Sequence, residues 1–310
     1  MAAGAGTWLA ACFPAELPTH SSSSLAGSIY AARSGKFVTS EEVLAEVSGA
    51  DFVLLGESHD NAEHHRIQAR LIRAIAQAGR RPAIVLEMLS ADQAPALARH
   101  LSEHPNDAPG LGPAVGWERS AWPSWDIYLP IGEAALSAGL PIVAGNLGRP
   151  TLLTLRGPGP AGLPPALVGQ LGLDVEYQPW QRRELERLLQ ESHCKELPAT
   201  TLARMVTIQQ ARDGALASAM RAGNRRSSGG AVLIAGSGHA RNDFGVPWHM
   251  TRVAPNRSIL VVTLIEFDPA KPDAAGYARA ADGAPLFDYI WFTAPVVRED
   301  PCAGRQRPGS

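Results

Sequence analysis

The clearest indication of the fold lies in residues 52–65, which read FVLLGESHDNAEHH. The first four of these residues are apolar and end at Gly56, a pattern typical of a strand buried on both faces. Asn61 is a favoured helix N-cap, and apolar residues recur at helical spacing from there to about Ala78. The stretch therefore predicts a buried strand followed by a helix.

Short apolar runs at 83–86, 142–144 and 231–235 predict three more strands, and helical stretches lie between them. This alternation implies right-handed crossovers and a largely parallel sheet flanked by helices, which is an α/β fold. Residues 258–267 and 289–293 predict two later strands, with an antiparallel edge as one interpretation of them.

Two segments, residues 90–140 and 149–228, are too long for simple crossovers. We expect them to form a small inserted helical cap over one end of the sheet. The predicted organisation is a leader or tether over 1–24, a single α/β domain over 25–302 and a tail over 303–310.

Composition argues against several classes of protein. The chain has 310 residues with 28 basic and 30 acidic side chains, so its net charge of −2 gives no reason to expect a nucleic-acid partner. No apolar run approaches the roughly 18 residues that a membrane span requires. The sequence also lacks the phosphate-loop, dinucleotide-binding, HExxH and GxSxG signatures, so nucleotide binding, zinc proteolysis and ordinary α/β-hydrolase chemistry have no support.

Polar side chains follow the predicted strands at their carboxyl ends, where ligands bind in open α/β sheets, and we call this edge the rim. They are Glu57, His59, Glu87, Asn146, His239 and Arg241. The carboxylates and imidazoles of Glu57, His59, Glu87 and His239 suit either a divalent metal ion or an acid and base pair that acts on a substrate. The spacing does not choose between the two, and a third interpretation is that each side chain braces a loop.

Two histidines, His64 and His65, lie in the first turn of the helix that Asn61 begins. The helix dipole disfavours a protonated ring at this end, which keeps the imidazole available as a ligand. The alternative is an ordinary solvated helix start.

The helix around residues 200–222 carries Gln209 and Asp213 within an otherwise apolar stripe. A buried amide or carboxylate needs a partner, and we expect Arg212 or a rim histidine to supply it. These residues form either a buried structural network or, together with Asn146 and Arg241, a supporting layer behind the rim site.

The three cysteines indicate in which cellular compartment the protein resides. Residues 9–12 read LAAC, which resembles a lipoprotein processing box and predicts lipidation of Cys12, although such a run also arises by chance in an alanine-rich leader. With Cys12 set aside for lipidation, Cys194 and Cys302 remain. In an exported protein we expect this pair to form a disulfide, whereas in cytosol they would be two thiols.

The motif that begins at residue 53 resembles the opening motif of the ChaN-like haem-binding uptake proteins, whose superfamily includes the Tiki and TraB proteins and the erythromycin esterases. Further stretches match in order between about residues 25 and 302. They are Ile84–Met88, Trp125–Pro130, His193-Cys194, Gln209 with Arg212-Asp213, Leu233–Arg241, Gly245–Pro247 and Tyr289–Thr293. Ordered matches over most of the length are specific for this family.

This resemblance implies a parallel-sheet domain with a small helical domain, usually a lipoprotein of the outer membrane that is linked to iron acquisition. In the family's haem-bound form, two haems stack between two subunits, and a Tyr holds each iron with a His contributed across the interface. For this sequence it implies a homodimer with haem as cofactor, held by Tyr177, which lies in the cap segment 16 residues before His193, and by His193 itself. His64 and His65 are further candidate imidazoles.

Two main functions compete at this point. The first is a haem- or iron-binding lipoprotein of the outer membrane or periplasm, attached by a lipid anchor rather than a transmembrane span. The alternative is a metal-dependent or acid–base hydrolase that uses Glu57, His59, Glu87 and His239. A structural binding module is the third interpretation, and the sequence leaves open whether the chain is an enzyme.

Overall fold

The computed structural model describes residues 24–227, 229–280, 283–300 and 302–303. The strands in these ranges are β1 (Ile29–Ala31), β2 (Lys36–Val38), β3 (Phe52–Glu57), β4 (Ala83–Ser90), β5 (Ile142–Asn146), β6 (Ala231–Gly236), β7 (Ile259–Glu266) and β8 (Tyr289–Thr293). They form a single sheet in the order β2-β1-β8-β7-β3-β6-β4-β5.

The α-helices of the same ranges lie on both faces of this sheet or beyond its rim. They are α1 (Ser40–Gly49), α2 (Ala62–Gln77), α3 (Ala94–Glu103), α4 (Ala108–Val115), α5 (Trp125–Ser137), α6 (Arg149–Arg156), α7 (Pro165–Gln170), α8 (Pro179–Ser192), α9 (Ala199–Ser227), α10 (Val246–Val253) and α11 (Ala275–Ala278). No helix in the described ranges combines the length and the apolar composition needed to cross a bilayer.

The strands from β8 to β5 in this order pair in parallel, which confirms the predicted α/β fold. The antiparallel interpretation of the two late strands is wrong, because β7 is parallel to β3 and β8 is parallel to β7. The helices α10 and α11 each return the chain to the start of the next strand. The antiparallel edge is instead formed by β1 and β2, which the sequence pattern did not reveal because each has three residues.

Residues 52–65 form the buried strand β3 and the first turn of α2, as their pattern predicts. Every residue of β3 is buried. Asn61 caps α2, because its side-chain oxygen accepts hydrogen bonds from the backbone N–H groups of Glu63 and His64 at 2.9 and 3.3 Å. Gly79 follows the helix with a φ of 82°, a left-handed conformation that glycine adopts without steric cost.

The core has two layers because β3 alternates its side chains between the faces of the sheet. Val53 and Leu55 belong to the layer beneath α1, α2 and α5, whereas Phe52 and Leu54 belong to the layer beneath α9 and α10. The central strands are thus covered on both faces, as their uninterrupted apolar runs predict.

The two insertions differ in their roles. The first contributes α5, which packs along α2 on one face of the sheet. In the second, the later part of α9 packs on β4, β5 and β6 as an ordinary crossover helix. The helices α6 to α8 and the first part of α9 form the cap, which has apolar clusters of its own around Leu155 and Leu185.

A disulfide joins Cys194, which follows α8, to Cys302, as the sequence predicts. The segment 294–300, which we call the strap, runs from β8 toward this bond. Its Arg298 donates hydrogen bonds to the carboxylates of Asp60 and Glu266, so the strap is also held at the rim. The predicted lipidation residue Cys12, the other residues from 1 to 23 and the tail from 304 onward lie outside the described residues. The predicted domain limits stay a prediction.

Candidate functional site

The structure brings together the four rim residues that the sequence singled out. The Nδ1–H of His59 donates to Glu57 Oε1 at 2.9 Å, and His59 Nε2 lies 3.7 Å from Glu87 Oε2. On the other side of Glu87, His239 Nε2 lies 3.1 Å from Oε1. Both carboxylates are buried, and the His59 side chain retains 29% exposure. These residues and Asp213 form what we call the rim cluster.

Turn geometry at the ends of β3 and β6 places these side chains. After β6, Ser237 N–H donates to the Glu57 carbonyl at 2.9 Å, and His239 N–H donates to the Gly236 carbonyl at 2.9 Å. The approach is close at Gly56, where a Cβ atom would lie 2.7 Å from Thr263 Oγ1. Glycine at this position therefore lets the turn after β6 fold over the end of β3.

The partner that Asp213 requires is His239. The Nδ1 of His239 lies 2.5 Å from Asp213 Oδ1, and the amide nitrogen of Gln209 lies 3.0 Å from the same Nδ1. Because Nδ1 faces Asp213 while Nε2 faces Glu87, the imidazole of His239 can donate a hydrogen bond on each side. Asp213 Oδ2 is buried and has no hydrogen-bond partner among the described residues.

The neighbouring charges shift the ionisation of the rim cluster. Burial raises the pKa of Glu57, but His59 and His65 lower it more strongly, to about 2. Burial lowers the pKa of His239, but the carboxylates of Glu87 and Asp213 outweigh burial and raise it. Burial raises the pKa of Asp213, and the charge of His239 only partly offsets this. The arrangement holds a charged imidazole between two carboxyl groups that differ in acidity.

The predicted supporting residues divide into two groups. Arg212 and Asn146 belong to the rim, since Arg212 Nε donates to Asn146 Oδ1 at 3.2 Å and Arg212 Nη2 lies 3.7 Å from Glu87 Oε1. Arg241 instead turns toward the cap, where it forms ion pairs with Asp243 at 2.6 Å and Glu184 at 3.2 Å. It braces the loop after β6 against α8.

One residue that contacts the rim, Tyr128, was not predicted from the sequence. The hydroxyl of Tyr128, on α5, donates to Glu57 Oε1 at 3.0 Å, and its ring lies over His65 at a centroid distance of 4.0 Å. The available signal was its place in the matching stretch Trp125–Pro130. Tyr128 and Glu57 are 71 positions apart in the sequence, and nothing else in the sequence indicated their contact.

His64 and His65, the further imidazoles predicted for haem, do not lie at the surface of the protein. Both rings are fully buried. His64 Nδ1 accepts from the Ser58 N–H at 2.9 Å, and its Nε2 lies 2.9 Å from Thr293 Oγ1, while burial lowers its pKa to about 4. The first turn of α2 packs beneath the rim rather than facing solvent, so these rings brace the site.

The divalent metal ion predicted at the rim is also not supported. Among the described residues, no group of three or more His, Cys, Asp or Glu side chains is arranged to hold a metal ion. The physical reason lies in the pairing above: the carboxylates of Glu57 and Glu87 accept from imidazole N–H groups, so their lone pairs do not converge on one point.

Tyr177, the predicted iron ligand, faces inward. Its hydroxyl donates to the Phe244 carbonyl at 2.8 Å, its ring packs on Trp248, and burial raises its pKa above the usual range for tyrosine. None of the tyrosines has an exposed side chain: Tyr30, Tyr128 and Tyr177 are buried, and Tyr277 and Tyr289 are half-buried. A phenolate ligand on the cap surface is therefore not available in this conformation.

His193, the predicted partner of Tyr177 in binding iron, lies in a less buried environment than Tyr177. It is half-buried at the C-terminal end of α8, directly before Cys194. Its Nδ1–H donates to the Leu189 carbonyl at 2.8 Å, which leaves the lone pair on Nε2. A backbone carbonyl that fixes the tautomer in this way is the usual support for a metal-ligating imidazole.

A cavity of about 470 Å³, which we call the cap pocket, lies between α6, α8 and α9. It is lined by Arg156, Leu189, Thr201, Arg204, Met205, Ile208, Gln209 and Arg212. Since Gln209 and Arg212 also contact His239 and Glu87, one wall of the pocket belongs to the rim. A larger cavity, of about 670 Å³, borders Gly49 and Ser258 at the opposite edge of the sheet, away from the carboxyl ends of the strands.

Comparisons with known proteins identify relatives of this chain. The sequence profile described as "Haem-binding uptake, Tiki superfamily, ChaN" matches residues 43–250, about two thirds of the chain. A structure of cofacial haem binding to ChaN of Campylobacter jejuni superposes with a TM-score of 0.64 at 22% identity, over 85% of this chain and 95% of that chain. This likeness supports the fold.

Two further structures resemble the chain more distantly. The erythromycin esterase EreC gives a TM-score of 0.43 at 16% identity, over 89% of this chain and 84% of that one. The type III effector HopBA1 gives a TM-score of 0.43 at 13% identity, over 81% of this chain and 91% of that one. No curated protein matches the sequence. From the profile match, the chain belongs to the ChaN family of haem-binding uptake proteins in the Tiki superfamily.

Proposed function

We propose that this protein binds haem in the cap pocket and serves iron acquisition. The observation that carries the proposal is the lining of that pocket in a chain of the ChaN family: apolar side chains together with three arginines. A haem ligand presents a flat apolar ring system and two propionates, so its binding site needs both kinds of surface.

The residues present fit these requirements. Leu189, Met205 and Ile208 supply apolar contacts, while the guanidinium groups of Arg156 and Arg204 can pair with carboxylates. The volume of about 470 Å³ lies within the usual range for small-molecule pockets. The pocket also lies at the carboxyl-end edge of the sheet, where open α/β folds bind ligands.

We assign the side chain that would hold the haem iron to His193 rather than to a tyrosine. Its Nε2 carries a lone pair, and the carbonyl that orients its ring belongs to Leu189, which lines the pocket. Bound haem would supply an iron centre, and an imidazole oriented in this way would hold it. The family's tyrosine ligand has no counterpart in the orientation of Tyr177.

The proposal includes a homodimer that is attached to the outer membrane through a lipidated Cys12. The disulfide between Cys194 and Cys302 supports an oxidising compartment such as the periplasm or the cell surface, where such bonds persist. The cofacial arrangement named for the Campylobacter jejuni protein motivates the dimer.

Haem titration of the purified protein, followed through its Soret absorption, tests this function. We expect saturable binding by the wild type and an altered Soret band in His193→Ala. His104→Ala, which removes an exposed imidazole from the other insertion, is the matched control and should leave the spectrum unchanged. Absence of saturable binding, or the same spectrum in all three proteins, contradicts the proposal.

A second candidate function, acid–base hydrolysis at the rim, rests on the placement of His239 between two carboxylates. A positioned imidazole with a carboxylate behind it can transfer a proton to or from a reacting group. A panel of ester and amide substrates, assayed with the wild type and His239→Gln, tests it. Turnover that disappears in the variant would favour this function, and absence of turnover in the wild type would remove it.

A further inference from the structure

One side chain, Arg212, belongs to both the cap pocket and the rim. It lines the pocket, donates to Asn146 Oδ1 at 3.2 Å and approaches Glu87 Oε1 at 3.7 Å. Gln209, one turn earlier on α9, also lines the pocket and lies 3.0 Å from His239 Nδ1. Any charged group that enters the pocket therefore meets residues that already contact the rim cluster.

The charges around this point come from every element packed there. The rim cluster and its contacts contribute Glu57 and His59 from β3 and the turn after it, His65 from α2, Tyr128 from α5, Glu87 from β4, His239 from the turn after β6 and Asp213 from α9. The segment before α8 contributes Tyr177, which interacts with the charge of Asp213. The arginines are Arg156 from α6 and Arg204 and Arg212 from α9. Three carboxylates are buried in this set. Arg212 is the cation that joins them to the pocket.

We propose that the binding of a porphyrin dicarboxylate in the cap pocket is coupled, through Arg212, to the uptake of a proton by the rim cluster. This inference rests on the proposed function, and it adds a means by which pH controls the same site. It requires only the shared position of Arg212 and the buried carboxylates behind it.

The direction of the coupling follows from charge. A ligand carboxylate competes with Glu87 and Asn146 for the guanidinium of Arg212, so Glu87 loses part of its positive surroundings. The ligand also adds negative charge beside buried carboxylates. Both changes favour the protonated forms of the cluster.

Asp213 is the group best placed to take the proton. Its Oδ2 is buried without a hydrogen-bond partner among the described residues, and burial has already raised its pKa, to about 6. His59, whose side chain is 29% exposed, is a second acceptor, because the carboxylates of Glu57 and Glu87 outweigh its burial and raise its pKa. In either case one proton moves from solvent to the cluster and its net charge rises by one.

Fluorescence titration with zinc protoporphyrin IX at several pH values tests the coupling. Because one fully linked proton changes a binding constant tenfold per pH unit, we expect the wild-type Kd to fall about threefold per unit between pH 8 and pH 6.5. Calorimetry at pH 7 in phosphate and in Tris, which differ in ionisation enthalpy, should independently show proton uptake. The dimethyl ester of the same porphyrin, which lacks the carboxylates, should bind without it.

Three variants distinguish coupling through Arg212 from the mere loss of a charge in the cap pocket. Arg212→Gln removes the connecting cation and should flatten the pH dependence. Asp213→Asn removes the better placed of the two acceptors and should reduce it. Arg204→Gln is the matched control, because Arg204 lines the same pocket two turns earlier on α9, roughly 12 Å along the helix. In the part of the chain that the structure describes, Arg204 has no hydrogen bond or ion pair with the rim cluster. It should weaken binding equally at every pH and keep the wild-type slope.

The titrations distinguish a failure of the proposed haem binding from a failure of the proton coupling. If zinc protoporphyrin does not bind the wild type at any pH, the proposed function fails, and this inference with it. If it binds and the slopes of Arg212→Gln and Asp213→Asn equal that of the wild type, haem binding stands and the coupling is overturned. Since Arg212 is half-buried on a helix face, its variant tests the coupling even if Asp213→Asn does not fold.

Discussion

The imidazole of His239 lies 2.5 Å from the carboxylate of Asp213, although the two residues are 26 positions apart in the sequence. The contact joins the turn after β6 to the middle of α9. Since α9 also carries the wall of the cap pocket, the acid–base groups of the rim and the proposed haem pocket are parts of one site.

This pairing predicts that stability falls at alkaline pH. The pKa of His239 is raised in the folded state because Glu87 and Asp213 outweigh its burial. Between the ordinary histidine value and the folded value, the native state binds more protons than the unfolded state, so the free energy of unfolding decreases as pH rises. We expect the melting temperature of the wild type to drop more from pH 6.5 to pH 9 than that of His239→Gln. Equal drops would contradict the charged state of His239.

The disulfide predicts a large effect of cysteine removal. It closes a loop with a sequence separation of 108, for which the chain-entropy account gives about 4–5 kcal/mol of stabilisation. The double variant Cys194→Ser/Cys302→Ser should therefore have a much lower urea midpoint than the wild type under non-reducing conditions. The comparison is repeated with both proteins in dithiothreitol, where the difference should largely disappear. An unchanged midpoint would show that the bond contributes little.

Tyr177 is expected to affect stability and not haem ligation. Tyr177→Phe removes the hydrogen bond to the buried Phe244 carbonyl, which should cost about 1–3 kcal/mol because that acceptor loses its partner. The Soret spectrum of the haem complex should match that of the wild type. Loss of the Soret band in Tyr177→Phe would mean that the tyrosine turns outward to bind iron.

Gly56→Ala is expected to destabilise the protein. An added Cβ would lie 2.7 Å from Thr263 Oγ1 and 3.2 Å from Ser237 Cα, and such overpacking typically costs about 1–3 kcal/mol. The double variant with Thr263→Ala should recover part of the loss by removing the nearest atom. Chemical denaturation of the single and double variants measures this, and a wild-type midpoint in Gly56→Ala would refute the close approach.

The sequence predicted the strand and helix pattern well because the apolar runs and the Asn61 cap act locally. It also predicted that Glu57, His59, Glu87 and His239 lie close together, since the carboxyl ends of parallel strands meet at one edge of the sheet. The burial of His64 and His65 could not be read from their position on α2, because it depends on how α5 and β8 pack over them. The contacts of Tyr128 and Arg241 likewise depend on tertiary packing that periodicity does not encode.

Haem binding is assigned to the cap pocket, so a side chain that fills this pocket should block it. Ile208→Trp places a large side chain in the pocket, while Leu153→Trp adds the same side chain at a 55% exposed position on α6. We predict that equilibrium haem titration gives wild-type affinity for Leu153→Trp and at least about a tenfold weaker Kd for Ile208→Trp, which equals about 1.4 kcal/mol, at an unchanged melting temperature. Wild-type affinity in a folded Ile208→Trp would contradict the placement of haem in this pocket.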